Sequence, residues 1–258
     1  MNLTEFSVQV PGGTLTCALA APAEEDLASM PALLVDVGGT RMSVDKVPSA
    51  TARHFVETGH RVVSFDMPNH GDLVDRHGQS IDGMCAAFLA GDDPFVRFVD
   101  NGMAAIDACS EQGIATSGRI FACGGSRAGY CALRLAAADR RIAAVSALAP
   151  VTDWRCLTEF AAVSEQPDVA ALALETWAGD LAGRPLFMLI GNHDHRVGTH
   201  ACARLAVRLF ELEEPLKPGA SAVQFHVVAT PGHTVPEEWE IEGARFLLGL
   251  CETGEEEG

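Results

Sequence analysis

Three residues of this 258-residue chain have the types and surroundings needed to carry nucleophilic acyl chemistry together. Ser126 stands in Gly124-Gly125-Ser126-Arg127-Ala128-Gly129, directly after the apolar run RIFAC and directly before the helical run YCALRLAA. A serine at a strand-to-helix turn is held in a strained conformation that exposes its hydroxyl at a sheet edge. Small residues two before and two after it, here Gly124 and Ala128, let the turn close. The following helix aims its N-terminal N–H groups at developing negative charge. Alone, such a turn reads equally well as a serine that merely caps a helix. Asp194, just past PLFMLIG, and His233, just past AVQFHVVA, favour the chemical reading. A serine hydroxyl is a weak nucleophile until a base takes its proton, imidazole is suited to that transfer near neutral pH, and a carboxylate can fix its tautomer. Ser126 is expected as nucleophile, His233 as base and Asp194 as acid. Serine, acid and histidine follow in that chain order, each past a separate expected strand.

The elements that must position these residues alternate between short β-rich runs and longer helical patterns, which predicts a mostly parallel sheet covered on both faces. TEFSVQV and TLTCALA, joined by Pro11-Gly12-Gly13, form an expected antiparallel hairpin. Six further strands are expected at 32–37, 60–66, 119–124, 141–148, 185–191 and 222–229, with helices near 48–58, 95–112, 127–137, 200–211 and 236–249. The fold class is therefore α/β, with eight strands in a single domain spanning residues 1–258. Two connections are longer than their helices require, and cap or lid elements are expected near 72–94 and 153–183. The second carries Trp154, Phe160 and Trp177, which suggests an apolar acyl or aryl pocket, although tryptophans on a small helix are more often core. The terminal ETGEEEG reads as a frayed, solvated tail.

Composition limits the remaining choices. Hydrophobic residues make up 48% and charged residues 21%, which excludes wholesale disorder, and the formal charge of −17 disfavours nucleic acid and anionic membranes as partners. No apolar run approaches the roughly 20 residues of a bilayer span, and MNLTEFSVQVPGG lacks the regions of a secretory signal. All eight cysteines are singly placed, without metal-ligand spacing, so a reduced, cytoplasmic protein without disulfides is expected. The expected partner is a small-molecule ester, and a homodimer is compatible with the sequence.

The chain resembles the α/β-hydrolase superfamily, particularly its compact serine esterase and dienelactone-hydrolase or prolyl-oligopeptidase-like members, over nearly its whole length. Besides the three motifs above, the resemblance rests on VVSFDMPNHGD at 62–72, similar to the family's strand-end D-x-P-G-H-G segment, and on LAPVTDW at 148–154. Two departures stand out. The last small position of the serine turn is Ala128, with Gly129 one place on, and Val37-Gly38-Gly39-Thr40 replaces the usual His-Gly pair. The resemblance implies a serine hydrolase that cleaves small carboxylic esters through an acyl-enzyme intermediate. It also implies an oxyanion hole made by the backbone N–H of Arg127 and of Gly39 or Thr40. Thioesterase, lactone hydrolase and small peptidase remain open on the same residues, as does a non-catalytic binding protein of this fold.

Arg41 and Arg127 flank the expected oxyanion donors. Both could hold a substrate carboxylate, or each could pair with a nearby Asp36, Asp45 or Asp72 and order the loops. Trp154 and Phe160 complete the expected substrate contacts. His193, Asp194, His195 and His200 cluster closely, but no second ligand set accompanies them, so no metal and no cofactor are expected. The glycines at 124, 125 and 129 follow a late strand, unlike a dinucleotide loop. Cys123 should point into the core, and His70 should be structural or line the cleft.

Overall fold

Continuous apolar runs become strands here because both faces of the sheet are covered. The computed structural model describes residues 1–45 and 49–253. The eight strands are β1 (Asn2–Val10), β2 (Gly13–Ala21), β3 (Leu33–Val37), β4 (Arg61–Phe65), β5 (Ile120–Gly125), β6 (Ile142–Leu148), β7 (Leu186–Gly191) and β8 (Val223–Val228). They lie in the order β1-β2-β4-β3-β5-β6-β7-β8. β1 and β2 form the expected hairpin, β2 runs antiparallel to β4, and all the remaining pairs are parallel. The chain order therefore brings the C-terminal ends of β3 through β8 to one edge, the edge where open α/β sheets bind ligands.

Helices α1 (Ala50–Glu57) and α8 (Glu237–Thr253) cover one face, where Phe55, Val56, Ala244 and Leu247 meet Leu34, Val62 and Phe121. Helices α3 (Pro94–Glu111), α4 (Arg127–Ala138) and α7 (Thr199–Glu213) cover the other, burying Phe98, Ile106, Leu133 and Leu205 in one cluster with Leu33, Val35 and Val145. Local signals set the helix starts. Ser49 Oγ accepts the Ala52 N–H at the head of α1, and Asp93 accepts the N–H groups of Phe95 and Val96, with Pro94 as the first residue of α3. The helix expected to begin at Pro48 has its described start at Ala50, and Pro48 itself lies outside the described residues. Of the expected tail, Glu252 and Thr253 close α8, while residues 254–258 lie outside the described residues.

The two long connections contain structure. The first holds α2 (Ser80–Leu89), and the second holds α5 (Pro167–Ala170), α6 (Ala178–Leu181) and three short 3-10 turns. The second connection corrects an expectation, because Trp154 and Phe160 are core. Both are fully buried. The Trp154 ring lies 4.8 Å from Phe95, 5.1 Å from Tyr130 and 5.2 Å from Phe160 by ring centroids. Neither side chain lines an open pocket, since packing of the connection onto α3 and α4 removes both from solvent. Trp177 is half-buried, with the Arg134 guanidinium 3.6 Å above its ring.

Candidate active site

Ser126 sits between β5 and α4 with φ 57° and ψ −126°, a positive-φ conformation that is strained for any residue with a side chain. The turn is bolted to the end of β6: Ser126 N–H donates to the Leu148 carbonyl at 2.9 Å, and Val151 N–H donates to the Ser126 carbonyl at 2.9 Å. Two glycines permit the tight approach. A Cβ at Gly124 would lie 2.6 Å from the Ala128 carbonyl, and one at Gly129 would lie 2.9 Å from both the Gly124 oxygen and Pro150 Cβ. The displaced glycine noted in the sequence thus has its own contact, and Ala128 is accommodated with its methyl buried.

Asp194 follows β7 and is buried, with no side-chain surface reaching solvent. Its Oδ1 accepts the N–H groups of Arg196 at 2.9 Å and Val197 at 3.1 Å. Its Oδ2 lies 2.7 Å from His233 Nδ1, in the loop past β8. A carboxylate there accepts the Nδ1 proton, leaving Nε2 as the free basic nitrogen. Two other buried acids lie elsewhere: Asp153 binds Arg155 at 2.7 Å, and Asp66 binds Arg41 at 2.9 Å. His193, His195 and His200 are exposed, and among the described residues no group of three or more His, Cys, Asp or Glu is placed to hold a metal ion. Cys123 is buried with its thiol 3.1 Å from Asp36, and burial pushes that thiol well above its ordinary pKa, which makes it a poor nucleophile.

The loop after β3 lies beside this turn. Gly38 leaves room for Ser43, whose Oγ would lie 2.4 Å from a Cβ. The Arg41 N–H is committed to Asp66 Oδ1 at 2.7 Å, whereas no acceptor for the N–H of Gly39 or Thr40 is found among the described residues. Arg127 opens α4, where the first N–H groups have no intrahelical acceptor. The Arg41 guanidinium pairs within the chain, with Glu5 at 2.8 Å and with Asp66 and Asp72 at 2.9 Å each. Three carboxylates surround it, so the loop-ordering alternative describes Arg41.

Asp66 to Asp72 wraps this pairing. Asn69 takes φ 64° where the resembling segment has glycine, a conformation asparagine tolerates better than most residues, and its amide donates to Asp75 and the Gly78 carbonyl. His70 is buried; its Nδ1 lies 3.0 Å from the Pro68 carbonyl, and its Nε2 accepts from Arg127 Nε at 3.2 Å. Burial pushes its pKa down, aided by the Arg127 charge, against the pull of the Pro68 bond. The sequence analysis did not pair His70 with Arg127, nor Glu159 with Arg196, whose two Nη atoms hold the Glu159 carboxylate at 2.6 and 2.8 Å. No local spacing signals either pair, since each joins residues far apart in the chain.

An eight-stranded sheet in this order, with a serine turn after β5 and acid and histidine loops after β7 and β8, is the α/β-hydrolase fold. The family model of the prolyl oligopeptidase family matches residues 96–248, and the chain belongs to that family of serine hydrolases, in the esterase and prolyl-oligopeptidase branch of the superfamily. No curated protein matches the chain in sequence. Among solved structures, TT1662 from Thermus thermophilus is similar at 21% identity and a TM-score of 0.70, with 98% of this chain covering 99% of that one. An acetyl xylan esterase from Paenibacillus sp. R4 is similar at 16% identity and a TM-score of 0.72, with 96% of this chain covering 83% of that one. Dipeptidyl peptidase 4 of Porphyromonas gingivalis is similar at 16% identity and a TM-score of 0.67, and there the chain spans 35% of the peptidase's length. No helix among the described residues is long and apolar enough to cross a membrane.

Proposed function

We propose that this protein is a serine esterase that cleaves small carboxylic esters through an acyl-enzyme on Ser126. The observation that carries this reading is the 2.7 Å contact between His233 Nδ1 and the buried Asp194 carboxylate, on the same sheet edge as the strained Ser126 turn. In this reading Ser126 Oγ attacks the ester carbonyl carbon while His233 Nε2 takes its proton. The tetrahedral adduct then expels the alcohol, which receives that proton from His233. Water attacks the acyl-enzyme with His233 again acting as base, and the carboxylic acid and free Ser126 are released. The oxyanion is met by the N–H of Arg127 and of Gly39 or Thr40, each donor contributing about 3 kcal/mol of transition-state stabilisation. Ester over amide is favoured by the similarity to esterases over most of both chains, against the partial overlap with the much longer peptidase.

The test is a panel of 4-nitrophenyl esters of graded chain length, with a thioester and a peptidyl anilide included. Short esters should be turned over fastest, and activity should survive chelators. Ser126→Ala should remove activity by more than about 10⁴-fold while its circular dichroism and Tm stay near those of the parent. Near-normal turnover by that folded variant would overturn the nucleophile, and faster cleavage of the anilide than of every ester would make the protein a peptidase.

A further inference from the structure

We propose that the Arg127 guanidinium is a carboxylate-binding site beside the nucleophile, so that the preferred ester carries a free carboxylate a few bonds from its scissile carbonyl. The proposal deepens the esterase reading and rests on Ser126 as nucleophile. Arg127 directly follows Ser126, and its side chain runs between His70 and the loop after β3. Its Nε donates to His70 Nε2 at 3.2 Å, and a Cβ at Gly39 would lie 3.1 Å from its Nη2. The absence of a side chain at Gly39 therefore leaves the guanidinium free to lie against the loop expected to hold the oxyanion.

Among the described residues, no carboxylate is paired directly with this guanidinium, although acidic residues outnumber basic ones by 35 to 18. Neighbouring acids are already engaged. Asp66 is held by Arg41, Glu159 by both Nη atoms of Arg196, and Asp194 by His233 and two backbone N–H groups. Arg41, Arg155 and Arg196, near the same sheet edge, each have at least one carboxylate at 2.9 Å or less. Among the described residues, the Arg127 side chain hydrogen-bonds only a histidine, and that histidine is neutral by its own bonds. The Pro68 carbonyl can only accept, so Nδ1 carries the proton, and Nε2 is left to accept from Arg127. His70 thus positions the guanidinium without neutralising it.

Neither Nη of Arg127 has a hydrogen-bond partner among the described residues, and neither is sealed from solvent as a buried unpaired atom. A half-buried, unpaired cation is unfavourable unless an anion joins it. The planar fork of the free Nη groups matches a carboxylate in two-point geometry. A ligand carboxylate is the group that completes this site, and the adjacent nucleophile places it on a molecule being cleaved.

The experiment compares two matched pairs of esters, one with the carboxylate on the acyl side (4-nitrophenyl hydrogen glutarate against its methyl ester) and one with it on the alcohol side (4-carboxyphenyl acetate against its methyl ester). The readout is the ratio of kcat/KM within a pair, because the backbone of residue 127 also belongs to the proposed oxyanion hole. The parent should prefer the anionic member of one pair by between about tenfold and about a hundredfold, the range for a charge-assisted bond to one buried partner. Arg127→Met should bring that ratio near unity, and Arg127→Lys should restore part of it. In parallel, calorimetry on a Ser126→Ala background should show glutarate or 4-hydroxybenzoate binding at least tenfold more weakly once Arg127 is Met. Ratios near unity in the parent, or ratios unmoved by Arg127→Met in both pairs, would overturn the proposal. If no ester is cleaved, the esterase reading fails separately, and loss of glutarate and 4-hydroxybenzoate binding in Arg127→Met alone decides the anion site: binding that does not depend on Arg127 overturns it.

Discussion

Replacing Asp194 with Asn tests whether the buried carboxylate sets the proton on His233. The Asp194 Oδ1 accepts two backbone N–H groups, and only Oδ2 faces the imidazole. An asparagine can keep its oxygen on the Arg196 and Val197 N–H groups, so its amide nitrogen must replace Oδ2. Two donors then meet, and His233 relieves the clash by moving its proton to Nε2, the nitrogen that has to accept from Ser126. Wrong-tautomer replacement of this kind lowers turnover by about 10⁴, roughly 5 kcal/mol of barrier. Stability should change little, by at most about 2 kcal/mol, because no backbone donor is orphaned. Asp194→Ala should lose similar activity but also about 2–4 kcal/mol of stability, since both N–H groups then lack an acceptor. Asp153→Asn is the control: that buried acid faces Arg155 and Arg204, and turnover should stay within a few-fold of the parent. Steady-state hydrolysis of an activated ester together with urea unfolding separates these outcomes. An Asp194→Asn protein with the parent's fold and turnover within about tenfold would refute the assignment of the tautomer to Asp194.

Gly124→Ala puts a methyl carbon 2.6 Å from the Ala128 carbonyl, which backbone cannot yield without opening the turn. It should destabilise the protein by about 2–3 kcal/mol in urea and abolish ester turnover, and a stable, active variant would show that the turn needs no glycine there. Glu159, held at a pKa of about 2 by the Arg196 guanidinium, lies below the ordinary 4.5, so the pair stabilises the fold above the ordinary value and loses that effect as pH falls towards 2. The difference in unfolding free energy between the parent and Glu159→Gln, measured in urea, should be full above about pH 6, on the order of 1 kcal/mol for this partly exposed pair, and should shrink between about pH 5 and about pH 2. A gap that persists in acid would refute that coupling.

The strand ends and the three residues proposed for catalysis were legible from local pattern alone. Apolar runs bounded by Gly, Pro and Asn report strands and turns wherever both sheet faces are buried, which placed Ser126, Asp194 and His233 at their strand ends. The serine turn was legible from its immediate neighbours, since Gly124 and Gly129 are forced in part by contacts within the turn itself, while Pro150 and the end of β6 complete its support only in the fold. The second cap was legible as a segment but not by its facing, because a tryptophan fits a pocket wall or a core equally well until its neighbours are known. Tertiary structure decided that Trp154 packs against Phe95, Tyr130 and Phe160 in the core. It also decided between two arginines that look alike in sequence. Arg41 meets Glu5 from β1 and Asp66 and Asp72 from the segment after β4, whereas Arg127 meets a neutral histidine. A charge can pair with any opposite charge within a few ångströms, and which one comes that close depends on how distant strands and loops are assembled. Sequence therefore determined which groups this protein has at its sheet edge, and the fold determined which of them pair with one another.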